Sequence, residues 1–328
     1  MKYRNLGKTG YNVSEISIGC WQLGGRWGDT FDEKIAFETL DTASSNGINF
    51  FDTADVYRGG QSEKFCGNFI KSAENKIYIA TKCGRRLNPH NSDGYNENNI
   101  RKFIDDSLKN MEVETIDLIQ LHCPPTDIYY KPEIFHILDN LKDEGKIQKY
   151  GVSVEKVEEA LKAMEFPNVS TIQIIFNIFR QRPSELLFRE AKKKNIGIIV
   201  RVPLASGLLT GKFNEKTTFN DGDHRNFNRN GEAFDKGETF AGVDFKIGLR
   251  AVEELKQVFR DPENLAPYAL RWILMFDAVS CIIPGASRNS HVISNTQASD
   301  LPAYSNDQMV QIQEIYEKYI KESIHHLW

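Results

Sequence analysis

Ile196-Gly197-Ile198-Ile199-Val200 is a short run in which no polar residue interrupts the aliphatic ones, and Glu185–Lys194 before it has helical spacing. A strand with one face in water alternates apolar and polar residues, whereas a strand covered on both faces does not. A doubly covered strand next to helices is a parallel strand packed under crossover helices.

Working outward, the same unit recurs. Ile16–Cys20, Ile48–Phe51, Ile77–Ala80, Ile116–Leu121, Ile147–Val152 and Thr171–Phe176 precede this run, and Val279–Ile283 follows it, which makes eight strand candidates. Helical spacing fills Glu33–Asn46, Asn98–Met111, Ile134–Glu144, Val157–Met164, Ile247–Phe259 and Leu265–Phe276. Eight strand–helix units closing on themselves predict a (β/α)8 barrel. A doubly wound open sheet is the competing topology. No G-x-G-x-x-G follows the early strands, which speaks against a dinucleotide-binding fold of that kind.

Two departures frame the barrel. Tyr3–Ser17 reads as an N-terminal β-hairpin around Gly7-Lys8-Thr9-Gly10. From Gly211 to Phe245, after the seventh strand, the chain is rich in Asn, Asp, Gly and Lys, too long for an ordinary connection: a functional flap or a mobile insertion. No linker or repeat marks a second domain, so residues 1–328 are expected to form one barrel domain, a length this fold reaches.

Composition excludes several classes. With 41 basic and 45 acidic residues the net charge is −4, and no overall positive field draws the chain to nucleic acid or to an anionic membrane. No apolar run reaches the ~18 residues of a membrane span, and Met1-Lys2-Tyr3-Arg4-Asn5 leads into no signal-like segment. Five cysteines without C-x-x-C spacing and seven scattered histidines predict neither a disulfide framework nor a metal site. A cytoplasmic location fits these features. His325-His326 is expected in a solvated tail.

Four polar residues stand where strands end: Asp52 after Ile48-Asn49-Phe50-Phe51, Tyr57 in the loop beyond it, Lys82 after Ile77–Thr81, and His122 after Leu118–Leu121. Each alone has an ordinary explanation as a turn former, a packing residue or a solvated cap. Together they occupy the C-terminal edges of three consecutive strands, which converge on one rim where barrel enzymes carry their chemistry.

Phe51-Asp52-Thr53-Ala54-Asp55-Val56-Tyr57, Ala80-Thr81-Lys82 and Asp117–His122 resemble the blocks that carry the catalytic tetrad of the aldo-keto reductases. The resemblance extends through Ile18–Trp21, Gly151-Val152-Ser153, Pro203–Lys212 and Ile283-Pro284-Gly285 to Asn295. It implies NAD(P)H-dependent reduction of a small aldehyde or ketone, with Tyr57 as general acid. A phenol has a pKa of about 10 in water; an adjacent ammonium, Lys82, lowers it, and Asp52 keeps that ammonium charged. His122 polarises the carbonyl oxygen.

The resemblance also places the cofactor, NADPH with NADH as an alternative, at the loops after the seventh and eighth strands. In the first of these, Pro203, Leu204, Ser206, Gly207 and Lys212 would border the pyrophosphate. In the second, Gly285, Ser287 and Arg288 precede a helix whose N-terminus favours an anion, with His291 near the 2′-phosphate and Asn295 on the adenine. Ser153 and Gln173 match carboxamide-binding positions, and Gly19, Cys20 and Trp21 match the first loop.

Three departures from the family pattern stand out. Val154 replaces the usual Asn, His291 stands where the family often has Arg or Gln near the 2′-phosphate, and Arg201 replaces the aromatic residue that stacks on the nicotinamide. A guanidinium can also stack, but its charge is expected to weaken binding of the oxidised cofactor more than of the reduced one. Trp21, Arg26, Trp27, Tyr57, Arg58 and Arg85 would line an aromatic, positively charged mouth. Rival readings are a lysine-based aldolase using Lys82 and a catalytically weak, nucleotide-sensing regulatory barrel. Neither the substrate nor the oligomeric state is legible.

Overall fold

The computed structural model describes residues 1–25, 30–260 and 262–328. The N-terminal hairpin pairs β1 (Tyr3–Asn5) with β2 (Asn12–Ser14), antiparallel. The barrel strands follow: β3 (Ile18–Gly19), β4 (Phe50–Asp52), β5 (Tyr78–Cys83), β6 (Ile116–His122), β7 (Ile147–Ser153), β8 (Val169–Ile175), β9 (Gly197–Arg201) and β10 (Val279–Ile282). They pair in parallel in sequence order. Parallel bridges Ile16–Ile282 and Gly19–Gly285 join the last strand to the first. The (β/α)8 barrel expected from the repeat is therefore the fold, and the open-sheet alternative falls.

Helices between the strands form the outer layer: α1 (Glu33–Ser45), α2 (Gln61–Ser72), α3 (Glu97–Met111), α4 (Pro132–Asp143), α5 (Val157–Ala163) and α6 (Leu187–Lys193). After β9 come the four-residue α7 (His224–Phe227), then α8 (Phe245–Val258) and α9 (Ala266–Leu274); α10 (Asn289–Thr296) and α11 (Asn306–Tyr316) follow β10. Their buried faces and the outward-facing strand residues make the main apolar core.

The barrel interior is a second, separate core. Phe50, Ala80, Leu118, Ile199 and Cys281 pack there against Leu6, Tyr11 and Val13 of the hairpin, which thus seals the N-terminal end. Side chains on a strand return to the same face every second residue. Two positions beyond this apolar layer lie Asp52, Lys82, Gln120 and Arg201, so the same face that is greasy below is polar at the rim.

The 211–245 insertion is internally packed. Buried Asn228 accepts from the backbone N–H groups of Ala233 and Phe234 at 2.8 and 2.9 Å through Oδ1, and Phe240 packs against Phe219 and Phe245. The C-terminus is not a solvated tail. Trp328 is buried, and His325 Nδ1 meets the Tyr316 hydroxyl at 2.7 Å, because the indole has Arg180 and the insertion to cover.

Candidate active site

Asp52, Lys82 and His122 come to one place because each lies at or next to the end of its strand on the inward face, with Asp52 opposite Ala80 and Lys82 opposite Gln120. Tyr57 is delivered by a turn. Its N–H donates to Ala54 O at 3.0 Å, and the left-handed backbone of Arg58, Gly59 and Gly60 then leads into α2. Lys82 is almost wholly buried and donates to Asp52 Oδ1, to Thr53 O at 2.7 Å and to Tyr57 Oη at 3.3 Å. The His122 ring stands 5.9 Å from the Tyr57 ring, edge to face.

The electrostatics differ from the simple expectation. Burial pushes the Tyr57 phenol above its ordinary value, and the opposing pull of Lys82 only partly offsets this. Burial works against the Lys82 charge, but Asp52 and Tyr57 outweigh it and hold the ammonium above its ordinary value. His122 is pushed well below the usual imidazole range by burial and then by Arg85, Lys82 and Arg201, so it is neutral at physiological pH. Its Nδ1 is buried without a hydrogen-bond partner among the described residues.

This rim now has its relatives. The model of the aldo/keto reductase family matches residues 15–317. The chain belongs to that family. It is 31% identical to the aldo-keto reductase YhdN of Bacillus subtilis, over 94% of this chain and 92% of the relative. It is 26% identical to a protein named NADH-specific methylglyoxal reductase from Escherichia coli, over 92% and 94% of the two chains. The glycerol dehydrogenase AKR11B4 of Gluconobacter oxydans superposes with a TM-score of 0.79 at 27% identity, covering 97% of this chain and 96% of that one. Aldo/keto reductases generally reduce carbonyls with NADPH or NADH.

Against that family background the remaining site residues sort unevenly. Ser153 and Gln173 both reach the rim, paired across β7 and β8. Gln173 turns inward, however, and its amide donates to Asp52 Oδ2 at 2.7 Å, beside Gln120, which donates to the same oxygen at 3.2 Å. Neither glutamine's contact to Asp52 was foreseen; the period-two register of β6 and β8 with β4 was the available signal. Ser153 Oγ lies 3.5 Å from Cys123 Sγ.

The loop after β9 is tightly wound, with Ala205, Ser206 and Gly207 all in left-handed backbone. Ser206 does not offer its hydroxyl outward: it donates to Glu238 O at 2.9 Å and accepts from Phe240 N–H at 3.1 Å, pinning the insertion. Pro203 is buried, Leu204 and Gly207 are half-buried, and Lys212 is exposed. At the start of α10, Gly285 and Arg288 are exposed and Ser287 is half-buried. Arg288 Nε donates to His291 Nε2 at 3.1 Å, while His291 Nδ1 faces Ser287 Oγ at 3.4 Å; Asn295 is buried. Gly19 and Cys20 are buried, and Trp21 meets His224 of the insertion edge to face at 4.7 Å between ring centres.

Arg201 is where the structure alters the sequence reading most. It stands in a cluster with Arg85, Glu155 and Glu238. Arg201 Nη2 meets Glu155 Oε2 at 2.7 Å and Arg201 Nη1 meets Glu238 Oε1 at 3.5 Å. Arg85 Nη2 reaches Glu238 at 2.5 Å and Glu155 at 3.2 Å. The uncompensated charge expected at this position is therefore balanced, which removes the stated reason for a bias against the oxidised cofactor. Glu155 and Glu238 were missed: each falls in a stretch with no strand or helix pattern to orient it. Arg26 and Trp27, expected at the mouth, lie outside the described residues.

A cavity of about 430 Å³ lined by Pro262, Asn264, Pro267, Tyr268, Gln297, Asp300 and Leu301 lies elsewhere and shares no residue with the rim. No helix among the described residues is long and apolar enough to cross a membrane.

Proposed function

We propose that this chain reduces a small aldehyde or ketone to the alcohol, with Tyr57 as the proton donor and a nicotinamide cofactor. The observation that carries this reading is Lys82, held charged by Asp52 and donating to the Tyr57 hydroxyl at the barrel rim.

The residues fit such a cofactor at its phosphate-bearing end. The Arg288 guanidinium is exposed at the start of α10, where the positive end of the helix favours an anion. Arg288 and the Gly285–Ser287 loop would hold the adenosine phosphate, with Lys212 adding charge and Asn295 near the base. Ser153 would take the carboxamide, while the Gln173 amide is engaged by Asp52. A phosphate held by Arg288 favours NADPH over NADH.

A bound reduced nicotinamide supplies the hydride that adds to the carbonyl carbon. The rest falls to the protein. Tyr57 Oη gives its proton to the carbonyl oxygen, and the phenolate left behind is stabilised by the Lys82 N–H already aimed at it. Asp52 keeps that ammonium charged, and Gln120 and Gln173 hold the carboxylate in place. Neutral His122, with one N–H to give, orients and polarises the carbonyl oxygen. A positioned acid of this kind is worth roughly 10²–10⁴-fold in rate.

The charged state of Lys82 opposes the aldolase reading, because a Schiff-base lysine attacks as the neutral amine. The continuous Asp52–Lys82–Tyr57 chain opposes a barrel without turnover. The test is reduction of a generic aldehyde with NADPH and with NADH, in wild type and Tyr57→Phe. The expected result is turnover that falls ~10²-fold or more in the variant, while nucleotide still quenches tryptophan fluorescence. Turnover unchanged in Tyr57→Phe overturns the assignment.

A further inference from the structure

Arg85 and Arg201 converge on a carboxylate that belongs to the insertion. Glu238 lies 2.5 Å from Arg85 and 3.5 Å from Arg201, and no helix or strand longer than one turn anchors it. The second carboxylate, Glu155, leaves the end of β7 and is fixed to the barrel. The cluster borders the reacting groups: Arg201 Nη2 also lies 3.5 Å from the sulfur of Cys123, the residue after His122. Three buried polar atoms in this neighbourhood have no hydrogen-bond partner among the described residues, Arg201 Nε, Arg180 Nη1 and His122 Nδ1, and Arg201 is only 8% exposed.

We propose that Arg85 and Arg201 form a carboxylate-recognition site for the substrate, and that Glu238 occupies it when no substrate is bound. The inference rests on the carbonyl-reductase reading above and names its substrate class: a small aldehyde or ketone carrying one carboxylate.

The group already in the site favours this occupant. Glu238 is itself a carboxylate held between Arg85 and Arg201, so a substrate carboxylate replaces it like for like, whereas a cationic substrate would face both of these arginines and Arg180. Cys123, Glu155 and Glu238 do place ligand atoms within 4.8 Å of one another, but the same two guanidinium groups repel a metal cation there. When Glu238 leaves, Arg201 Nη1 and Arg85 Nη2 regain the donors it occupied, and a planar guanidinium pairs readily with a carboxylate.

The test compares two four-carbon aldehydes, succinic semialdehyde and butanal, at saturating NADPH. In wild type the ratio of their kcat/KM values is expected to favour the semialdehyde by about 10- to 100-fold, the worth of one charged hydrogen-bonded pair. Arg85→Gln lowers that ratio about tenfold. Glu238→Gln raises it through a lower KM for the semialdehyde alone, because the internal competitor is gone. A merely structural latch moves both substrates together in each variant, and that parallel loss overturns the proposal. So does a preference for glyceraldehyde 3-phosphate over the semialdehyde.

A binding arm is independent of turnover. Succinate, which cannot be reduced at this site, is expected to raise the melting temperature of wild type and not of Arg85→Gln. If neither aldehyde is turned over, the reductase reading fails. The succinate shift then decides the carboxylate site by itself, and its absence in wild type overturns it.

Discussion

The Lys82 ammonium stands 3.3 Å from the Tyr57 hydroxyl oxygen, with the tyrosine ring centre 4.9 Å away. Burial raises both groups' cost of charge, yet it acts on them in opposite senses. It keeps the phenol protonated, ready to donate, while Asp52 prevents it from neutralising the ammonium. Under the proposed reduction the pair would release a proton only when a developing alkoxide draws it, as a general acid does when its conjugate base is stabilised in advance.

Replacing Lys82 by Met tests that division of labour. The variant loses the cation that stabilises the phenolate, and kcat is expected to fall by about 10²–10⁴. It also leaves Asp52 buried opposite two neutral amides, so stability is expected to drop by ~3–5 kcal/mol. Thermal melts alongside single-turnover rates, taken well below the melting point, separate the two losses. A destabilised variant with normal single-turnover rate removes Lys82 from the chemistry.

Asp55 should make stability depend on pH. It is 3% exposed, and burial followed by Glu63 raises its pKa to about 7. An acid raised in the folded state favours folding while protonated. Its contribution is full below about pH 4 and is lost as pH climbs through about 7. Asp55→Asn is therefore expected to match wild type near pH 4 and to exceed it at pH 8, by at most roughly 4 kcal/mol. Urea melts at the two pH values check this; an equal difference at both would remove Asp55 as the titrating group.

Much of this was written in the residue pattern, and the gaps have physical causes. The strands could be read because barrel strands are covered on both faces and lose their polar alternation. The convergence of Asp52, Lys82 and His122 could be read because each lies at or next to the end of such a run, with Tyr57 in the loop that follows the first. Helix α2 was not identified. Gly67 interrupts it with a residue of low helix propensity, required because a Cβ there would sit 2.2 Å from Met111 O. The charge cluster was half visible: Arg85 and Arg201 stood out, but their partner Glu238 is placed by packing of the insertion, 153 positions from Arg85. Pairings over such distances leave no local periodicity to read.

Arg288 should set the choice between the two nicotinamide nucleotides. Its guanidinium is exposed at the start of α10 and donates to His291 Nε2 at 3.1 Å. Only NADPH carries the extra phosphate that this group can meet. Arg288→Ala is expected to weaken NADPH about tenfold, ~1.4 kcal/mol, with little change for NADH, and the difference should shrink at high salt. Fluorescence titration of both nucleotides measures it. Equal weakening of the two would move the phosphate contact elsewhere.

Trp328 should hold the segment that carries Glu238. Its indole lies over the Arg180 guanidinium at 4.0 Å and donates to Asp235 Oδ1 at 2.9 Å. It also rests on the backbone of Gly242, where a Cβ would come within 2.5 Å of the ring. Burial lowers Arg180 to about 9 despite the nearby Glu155, so its charge is held at some cost and depends on its cover. Trp328→Ala removes a large buried ring, a cation–π contact and a hydrogen bond together, a loss of about 3–5 kcal/mol. The decisive signature is regional. Amide exchange in residues 235–242 should accelerate well beyond that of α3, on the other side of the barrel, because the indole is the common contact of Asp235, Arg180 and Gly242. Acceleration spread evenly over both regions would mean that the tryptophan stabilises the whole barrel and does not specifically fasten the insertion.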